Sequence, residues 1–399
     1  MRLRFRQRER ERGPSAKEGD RGYALYRDKL RPGNRVTPLR SGKETFPAML
    51  AAIREAQSHV HLEMYILRDD HIGQEFKRAL LDRARAGVQV RLIVDALGSF
   101  GLPSAYLEEL RDVGVETIEY HPIAPWRARW GVNKRDHQKI LVVDDRVAFT
   151  GGINIGDEYQ PVEDQGGGWF DMHVRVEGPV VFDLARLFRA TWIKNGGALF
   201  PEPAMSRADS VSDGHTAFAQ VISNTRLKAR FHMRRSYVFA IRRARERISI
   251  MNAYFIPDRG LRRAFARAVQ RGVEVRVIVP SSAMDVVAVY YAARHVYSNL
   301  MRDGVRIFEW RERMMHAKCG VIDRVWSTIG SYNLDRRSLL HNLEVSLVVV
   351  DRAVGAGMEA RFEEDLATCC REVQPAEWER RSVWSKCLEW LCFQIRYWL

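Results

Sequence analysis

The sequence predicts an α/β fold made of two similar lobes that share one active site. Three blocks recur in the same order along the chain, pairing residues 58–69 with 247–258, 86–94 with 271–279, and 136–154 with 315–333. Apolar strands alternate with amphipathic helices in each copy, which is the pattern of an α/β sandwich. Apolar residues make up 46% and charged residues 29% of the chain, as in ordinary folded proteins. We therefore expect two copies of one domain, related by a pseudo-twofold axis.

The elements of the first copy follow from its hydrophobic pattern. Residues 60–67 are rich in apolar side chains and predict a strand, and residues 73–86 have helical periodicity. Residues 88–94 are almost continuously apolar, as expected for a strand of a buried parallel sheet. A second helix and a hairpin complete the copy, and the second copy repeats the series.

Composition shifts divide the chain into five parts. The stretch around residue 207 is rich in Pro, Ser, Asp and Gly and predicts a linker between the lobes. The predicted parts are a disordered basic arm (1–22), the first lobe (23–199), the linker (200–214), the second lobe (215–372) and an amphipathic tail (373–399).

Charge and cysteine content narrow the class of protein. The 399 residues carry 64 Lys and Arg against 50 Asp and Glu, a formal net charge of +14, which favours an anionic partner such as a membrane surface or a nucleic acid. Five cysteines in a chain of this length indicate a reducing compartment rather than a disulfide framework or a zinc site. No apolar run is long enough to span a bilayer, so we expect any membrane contact to be peripheral.

The third repeated block contains the residues that suggest chemistry. His137, Lys139 and Asp144 recur as His316, Lys318 and Asp323, with the same His-x-Lys spacing and the same interval to the aspartate. Side chains two residues apart on a strand point to one face, so each copy places an imidazole beside an ammonium. A single such pair is typical of an exposed strand edge, but two pairs in equivalent places indicate catalysis.

Two such pairs facing one another suit reactions at phosphorus. One histidine can attack phosphorus while the other protonates the leaving oxygen, and the two lysines can stabilise the non-bridging oxygens without a metal ion. The aspartates open tight turns, so we predict that they brace the hairpins rather than carry protons. Asn154, Ser331 and Asn333, in the small-residue turns that end the hairpins, can donate hydrogen bonds to phosphate.

The duplicated motif, followed by Gly151-Gly152-Ile153-Asn154 and by residues 330–333, resembles that of the phospholipase D superfamily. The resemblance extends from about residue 33 to residue 370. Residues 33–34, 62–66, 252–257, 330–338 and 342–344 are most similar to bacterial cardiolipin synthases that lack N-terminal transmembrane helices. The sequence departs from that pattern at Gly152, where serine is common, and at Asp136, where a basic residue is common.

The resemblance implies the fold, the reaction and several residue roles. It implies two phospholipase D-type lobes, with a phosphohistidine on His137 and with His316 as general acid. It also implies that a carboxylate of the same lobe orients each histidine. By position, Asp171 matches that role for His137, and Glu344 matches it for His316. The catalytic set expected from the two motifs is His137, Lys139, Asp144, His316, Lys318 and Asp323.

Two further segments favour a lipid over a nucleic acid. Trp126 and Trp130 alternate with Arg127 and Arg129 just before the first motif, and this pattern suits a membrane interface, although aromatic residues in a basic loop can also stack on bases. The tail places Trp384, Leu388, Leu391, Ile395 and Trp398 on one stripe at helical spacing. Such a stripe predicts either an interfacial helix or a helix packed on the core.

The expected function is phosphatidyl transfer that forms cardiolipin from two molecules of phosphatidylglycerol and releases glycerol. A phospholipase D hydrolase that releases phosphatidic acid is the first alternative, and a nuclease or phosphodiesterase of the same fold is the second. A non-catalytic lipid-binding protein is disfavoured by the two intact motifs. We expect no cofactor, no metal ion and no nucleic acid partner. The expected location is the cytoplasmic face of the bacterial cell membrane, as a peripheral protein bound to anionic phospholipid.

Overall fold

The computed structural model describes residues 19–122, 134–202, 217–225 and 229–397. Within these residues the strands form one mixed sheet. The strands are β1 (Arg31–Arg40), β2 (His59–Met64), β3 (Gln89–Asp95), β4 (Glu116–Tyr120), β5 (Ile140–Val143), β6 (Val147–Gly151), β7 (Met172–Glu177), β8 (Ala217–Ser223), β9 (Arg247–Asn252), β10 (Glu274–Pro280), β11 (Arg306–Trp310), β12 (Lys318–Ile322), β13 (Trp326–Gly330), β14 (Val345–Val350) and β15 (Cys370–Glu372).

Within the described residues, helices flank the sheet. They are α1 (Ser41–Arg54), α2 (His71–Arg85), α3 (Ser104–Asp112), α4 (Val181–Lys194), α5 (His232–Arg243), α6 (Arg259–Gln270), α7 (Val287–Arg302), α8 (Arg336–Leu340), α9 (Arg352–Thr368), α10 (Pro375–Glu379) and α11 (Val383–Gln394). Aspartate side chains cap the corresponding helices α2 and α6, where Asp70 and Asp258 accept hydrogen bonds from first-turn backbone N–H groups.

The strand order shows the internal repeat directly. Outward from the β1–β8 pair, one lobe runs β1-β7-β6-β5-β2-β3-β4 and the other runs β8-β14-β13-β12-β9-β10-β11, with β15 added at its edge. In each lobe three strands are parallel, and the first hairpin strand, β5 or β12, pairs with them in the antiparallel direction. The predicted α/β fold with two pseudo-twofold-related lobes is confirmed. Antiparallel pairing of β1 with β8 joins the lobes into a single sheet, a feature that the repeat did not predict.

Three large apolar clusters and one smaller cluster form the core of the described residues. One cluster lies between the first lobe's sheet and helices α1 to α3, and a second lies between the other lobe's sheet and α5 to α7. The third joins the lobes, with Val142 and Val174 of the first lobe in the same cluster as Val321 and Leu347 of the second. The inner faces of the two half-sheets therefore pack on each other, and this holds the paired motifs at a fixed distance.

The two motif aspartates brace their hairpins, as the sequence predicts. Asp144 accepts hydrogen bonds from the backbone N–H groups of Gln57, Ser58 and His59, each at 2.8 Å. Asp323 accepts the equivalent three bonds from residues 245–247, at 2.7 to 2.9 Å. Both aspartates have positive φ angles, 54° and 52°, as do the residues that follow them, which is the geometry of a tight hairpin turn. Each aspartate thus ties its hairpin to the chain that enters β2 or β9.

The predicted tail forms helix α11, which packs on α7. The packed face includes Glu389 and Phe393, while Trp384, Leu388, Leu391 and Ile395 of the predicted stripe are all exposed. One face of the helix is therefore packed on the protein, while the predicted stripe is exposed. Trp398, residues 1–18 of the predicted basic arm and residues 203–216, which cover most of the predicted linker, lie outside the described residues.

Candidate active site

The two motifs lie at equivalent ends of the sheet. His137 and Lys139 directly precede β5, which runs antiparallel to β2, and His316 directly precedes β12, which begins at Lys318 and runs antiparallel to β9. Both pairs therefore lie at the carboxyl ends of parallel strands. In open α/β sheets this edge is where ligands bind.

Backbone pairing between the lobes brings the motifs into one site. Phe170 of the first lobe forms a parallel bridge with Met315. The His316 N–H donates to the Phe170 carbonyl at 2.6 Å. Symmetrically, Asp136 bridges Leu343 of the second lobe, and the His137 N–H donates to the Leu343 carbonyl at 3.0 Å. Each motif is thus held by a segment of the opposite lobe, and the single shared site is assembled from both.

The orienting carboxylates are the predicted residues, but the predicted pairing is wrong. Nδ1 of His137 lies 3.0 Å from Oε2 of Glu344, and Nδ1 of His316 lies 2.8 Å from Oδ2 of Asp171. The cause is the backbone pairing described above, in which each lobe places a segment beside the motif of the other lobe. Asp171 follows Phe170, which pairs beside His316, and Glu344 follows Leu343, which pairs beside His137. Each carboxylate therefore orients the histidine of the other lobe.

A hydrogen bond from Nδ1 to a carboxylate fixes the tautomer of each ring. With its proton on Nδ1, a neutral imidazole presents a lone pair on Nε2. The side chains of His137 and His316 are 8% and 6% exposed, so that nitrogen meets a site with little access to water. This arrangement prepares one ring to attack an electrophile.

The surroundings of the two carboxylates differ, and the difference explains the departure at Gly152. The Ser331 hydroxyl donates to Glu344, and the amide of Asn342 donates to the other carboxylate oxygen at 3.3 Å. At the equivalent place in the first lobe, a Cβ on Gly152 would lie 2.2 Å from Oδ1 of Asp171. The shorter aspartate occupies the space that a serine would need, so glycine and aspartate form one matched set and serine and glutamate form the other.

The motif lysines lie beside the histidines and are fully desolvated. Lys139 donates from Nζ to the backbone carbonyl of His137 at 2.8 Å. Lys318 donates to the carbonyl of His316, and its Nζ lies 2.7 Å from Nδ1 of that ring. Burial lowers the pKa of Lys139 to about 7 and also lowers the pKa of Lys318. An anionic phosphodiester would restore full charge on both ammonium groups, because an adjacent anion favours the protonated form.

The two histidines differ in their electrostatic surroundings. Burial holds the pKa of His137 well below its ordinary value, and both motif lysines lower it further. Burial and the neighbouring lysine also lower the pKa of His316, but there the carboxylates of Asp171 and Asp285 favour the protonated ring. At His316 these carboxylates therefore oppose the effects of burial and of Lys318. This asymmetry suits a neutral nucleophile at His137 and an acid at His316.

Glu344 and Lys139 are both buried at the site, and the charge of each acts on the other. Burial raises the pKa of Glu344 to about 7, while the Lys139 ammonium and the Ser331 hydroxyl act in the opposite direction. Both groups therefore change protonation close to neutral pH. The orientation of His137 depends on that titration.

Asn154 and Asn333, predicted to contact phosphate, lie beside the motifs but differ in their partners. Both are buried. The Asn154 amide donates to the Tyr159 hydroxyl at 2.8 Å, and its oxygen accepts from the Ile66 N–H, so this side chain supports the local backbone. Oδ1 of Asn333 is buried without a hydrogen-bond partner among the described residues. Because that oxygen accepts hydrogen bonds, Asn333 is the better candidate for contact with a hydroxyl of the ligand, not with a phosphate oxygen.

Three tyrosines at the site received no role from the sequence. The Tyr65 ring contacts His137 edge-on at 4.8 Å between ring centroids, and Tyr254 contacts His316 in the same way at 6.1 Å. The hydroxyl of Tyr159 lies 3.3 Å from Nδ1 of His316. Tyr65 and Tyr254 occupy equivalent positions of the repeat, and that equivalence was the available signal.

A buried polar cluster behind the first motif was also missed. Gln138 donates to Glu63 at 2.7 Å and to Asp136 at 3.4 Å, while the Asp136 N–H donates to Asp95 at 2.8 Å. Burial, together with the nearby Asp136, raises the pKa of Glu63 well above its ordinary value, and burial raises that of Asp136 to about 6. Asp136 thus faces the interior, and the basic residue common in the family is replaced by a member of this cluster.

The remaining predictions concern membrane contacts, metal ligands and membrane-spanning helices. Trp126, Arg127, Arg129 and Trp130 lie outside the described residues. Among the residues that the structure describes, no three His, Cys, Asp or Glu side chains are grouped as ligands for a metal ion. None of the helices in the same ranges has the length and apolar character needed to cross a bilayer.

Comparison with known sequences identifies the family. A sequence model of the family described as "Cardiolipin synthase, PLD-like domain" matches residues 49–163 and 237–366. The chain belongs to this family. The two matched segments contain both motifs, so the suspected resemblance is confirmed.

Curated members of the family are similar over most of the chain. Cardiolipin synthase 2 of Bacillus anthracis is 35% identical over 328 residues, covering 82% of this chain and 64% of that protein. Cardiolipin synthase A of Pseudomonas syringae pv. syringae is 36% identical over 346 residues, covering 86% of this chain and 71% of the relative. The chain thus spans just under two thirds of the length of the first of these family members.

A solved structure shows the same architecture at low sequence identity. Phosphatidylserine synthase from Haemophilus influenzae Rd KW20 superposes with a TM-score of 0.69 at 14% identity, covering 93% of this chain and 94% of that one. The shared fold therefore extends over nearly the whole chain.

Proposed function

We propose that this protein is a phosphatidyltransferase that forms cardiolipin from two molecules of phosphatidylglycerol and releases glycerol. The observation that carries the proposal is the joint site, in which two His-Lys pairs meet across the lobes and each Nδ1 faces a buried carboxylate. Family membership and the cardiolipin synthase names of the relatives support the same reaction.

In the first step, Nε2 of His137 attacks the phosphorus of one phosphatidylglycerol. The bond from phosphorus to the glycerol headgroup oxygen breaks, and His316 gives its proton to that oxygen. Lys139 and Lys318 stabilise the charge on the non-bridging oxygens, and Glu344 stabilises the His137 ring as it becomes cationic. Glycerol then leaves, and the phosphatidyl group remains on His137.

In the second step, His316 accepts a proton from a hydroxyl of the second phosphatidylglycerol. The resulting alkoxide attacks phosphorus, and the phosphorus–nitrogen bond to His137 breaks. Water at the same position would give phosphatidic acid instead. Transfer therefore depends on the exclusion of water, which is consistent with the low exposure of both rings.

The electrostatic asymmetry supports His137 as the nucleophile. Each ring has a carboxylate and a lysine beside it, but both motif lysines and Arg337 lower the pKa of His137, whereas the carboxylates of Asp171 and Asp285 raise that of His316 against burial and Lys318. A nucleophile must be neutral and an acid must hold a proton at the same pH. The assignment from family resemblance agrees with this distribution of charge.

The proposed location is the cytoplasmic face of the bacterial cell membrane, with anionic phospholipid as the partner. The cysteine content supports a reducing compartment, because five cysteines in 399 residues do not form a disulfide framework. Inside-out and right-side-out membrane vesicles are each treated with protease, and the protein that remains in the membrane fraction is measured. This experiment tests which face of the membrane the protein occupies. Degradation only in inside-out vesicles is expected, and degradation in right-side-out vesicles would contradict the assignment.

Lipid analysis tests the reaction. Purified protein is incubated with phosphatidylglycerol vesicles, and we expect diphosphatidylglycerol and free glycerol in equal amounts. His137→Ala should abolish both products, while His59→Ala, at the opposite end of β2, should retain them. Phosphatidic acid as the sole product would identify a hydrolase. Cleavage of single-stranded DNA without lipid turnover would identify a nuclease.

A further inference from the structure

Helix α11 carries an apolar stripe that no part of the described chain covers. Trp384 is 85% exposed, Leu391 56%, Ile395 48% and Leu388 41%. Their spacing of three and four residues places them on one side of the helix. Exposed apolar groups aligned in this way on a folded protein usually mark a contact surface.

The opposite face of α11 is fixed to the protein by a buried charge. Glu389 is 2% exposed and accepts from Arg294 of α7 at 3.1 Å and from Arg381 at 2.7 Å. The Phe393 ring packs on His295 of α7, with 4.4 Å between ring centroids. Because a glutamate with two arginine partners is held on the inner face, rotating the helix to bury its stripe would expose those partners and break the ion pairs. This packing therefore keeps the stripe exposed to solvent.

Arginines gather where the helix ends. The charges of Arg336, Arg262 and Arg259 all act on Arg396, whose pKa is lowered first by burial and then by these neighbours. The Arg336 guanidinium also lies over the Tyr397 ring, 5.5 Å from its centroid. Four like charges brought together at a surface are stabilised by anions, so this cluster complements a negatively charged partner.

The cluster connects the helix with the active site. Arg336 begins α8, which follows the turn that contains Asn333, and the charge of Arg337 lowers the pKa of His137. The ring of His341, just after α8, contacts Tyr397 at 5.3 Å. The end of α11 therefore lies beside the elements that form the mouth of the site.

Apolar groups are also exposed on the loops at the mouth itself. Leu97 and Phe100, in the loop after β3, are 39% and 72% exposed. Val286, in the loop after β10, is 38% exposed, and Val287, at the start of α7, is 61% exposed. These loops are equivalent in the two lobes and leave the sheet at the edge where both motif histidines lie. The site is thus flanked by apolar loop tips from each lobe.

We propose that the stripe of α11, together with the four arginines at its end, docks the protein on an anionic phospholipid bilayer and holds the mouth of the site at the headgroups. The choice of a bilayer rests on the proposed function, because the substrate lies in one. A tryptophan in an apolar row beside arginines is also the composition favoured at a membrane interface. A second copy of the chain would have to bring its own four arginines toward this cluster, which like-charge repulsion disfavours.

Vesicle binding tests the proposal with the full chain. The variant Trp384→Ser/Leu388→Ser/Leu391→Ser removes apolar groups that are exposed, so its melting temperature should match that of the parent chain. Burying one such side chain in lipid gives about a tenfold gain or more, so we expect partitioning to phosphatidylglycerol vesicles to fall by at least about a hundredfold. Leu199→Ser, at a residue that is 78% exposed on the loop after α4, is the matched control and should bind normally.

A charge variant tests the second half of the surface. Arg259→Gln/Arg262→Gln should weaken binding to phosphatidylglycerol vesicles and leave binding to phosphatidylcholine vesicles unchanged. Each arginine near an anionic surface contributes about 1 kcal/mol, so the double change should lower partitioning about thirtyfold at low salt. An equal loss on both kinds of vesicle would contradict the assigned role of the cluster.

Activity with dispersed substrate separates docking from catalysis. The triple-serine variant should lose turnover on vesicles but keep the parent rate with short-chain phosphatidylglycerol below its critical micelle concentration. His137→Ala should bind vesicles normally and turn over neither substrate. Should the parent chain bind vesicles without forming cardiolipin, the proposed function fails while docking stands.

Two results would overturn docking. The first is normal vesicle binding by the triple-serine variant. The second is a parent dimer in sedimentation velocity that the triple-serine variant dissociates, which would assign the stripe to an interface between two copies.

Discussion

Replacement of Glu344 by glutamine should slow attack on phosphorus by His137, although the two residues belong to different lobes. In the parent chain Nδ1 of His137 lies 3.0 Å from Oε2 of Glu344, while Ser331 and Asn342 donate to the same carboxylate. An amide nitrogen at the Oε2 position would donate to Nδ1 and place the ring proton on Nε2, the nitrogen that must attack. With the opposite orientation, the amide oxygen faces Nδ1, and the negative charge of the carboxylate is absent.

The size of the effect follows from the bond that is lost. A hydrogen bond to a charged group contributes about 1.5–3 kcal/mol, and each 1.36 kcal/mol changes a rate about tenfold. We therefore expect Glu344→Gln to slow formation of the phosphohistidine about tenfold to a hundredfold. Glu177→Gln, on β7, changes a partly exposed carboxylate to the same amide and serves as the control.

Phosphatidyl-p-nitrophenol isolates this step, because nitrophenolate leaves without a proton. Stopped-flow release of nitrophenolate measures attack by His137 alone. Asp171→Asn alters the partner of His316, so it should leave this burst near the parent rate. The same change should slow turnover of phosphatidylglycerol, whose leaving group needs an acid, by about a hundredfold or more.

The opposite pattern would refute the crossed assignment. If Asp171→Asn slowed the burst and Glu344→Gln did not, each carboxylate would serve the histidine of its own lobe. A melting temperature within the range of the Glu177→Gln control is required of both variants, so that loss of folding is not read as loss of chemistry.

Three further predictions follow from the same geometry. Gly152→Ala places a Cβ 2.2 Å from the carboxylate that holds His316, so a lower melting temperature and slower phosphatidylglycerol turnover are expected, and parent behaviour in both assays would refute the close packing. Asp144→Ala removes the acceptor of three backbone N–H groups and should lower the free energy of unfolding in urea by about 1–3 kcal/mol with kcat unchanged, whereas a lower kcat at parent stability would place the aspartate in the chemistry. For dispersed substrate, kcat/KM should be bell-shaped near pH 7, because Glu344 with a pKa of about 7 must lose its proton and Lys139 with a pKa of about 7 must keep one. Loss of the acid limb alone is expected in Glu344→Gln, and an unchanged profile would contradict the pairing.

Local sequence patterns predicted the hairpins and the motifs correctly. Strand β5 lies between the motif lysine and the turn-forming aspartate, because four consecutive apolar residues separate them. The role of Asp144 was predictable for the same reason, since its bonds go to a segment adjacent to the same hairpin. Features encoded within one lobe were therefore accessible from the sequence.

Features created by contact between the lobes could not be predicted from the sequence. The family resemblance implied that Asp171 serves His137, because both lie in the first lobe. The structure pairs them the other way because residues 170 and 343 each add to the opposite lobe's motif. Gly152 was visible only as a departure from the family pattern, and its cause required the position of the Asp171 carboxylate. Nothing in a linear repeat indicates which copy's side chain crosses the axis.

The exposed stripe of α11 shows a different limit. Helical periodicity identified Trp384, Leu388, Leu391 and Ile395 as one row, but periodicity alone does not say whether a row faces the core or the solvent. The buried Glu389 decides it, because its arginine partners come from α7 and from the turn before the helix. Those partners could not be assigned before the fold was known.

The central claim is that one site, assembled from both lobes, passes a phosphatidyl group through His137. Mass spectrometry of peptides from rapidly quenched His316→Ala protein, mixed with phosphatidyl-p-nitrophenol, tests it most directly. Without His316 to deprotonate the acceptor, the phosphatidyl adduct should accumulate on the peptide that contains His137 and be missing from His137→Ala. An adduct on the His316 peptide of the parent chain, or cardiolipin formation by His137→Ala, would contradict the account.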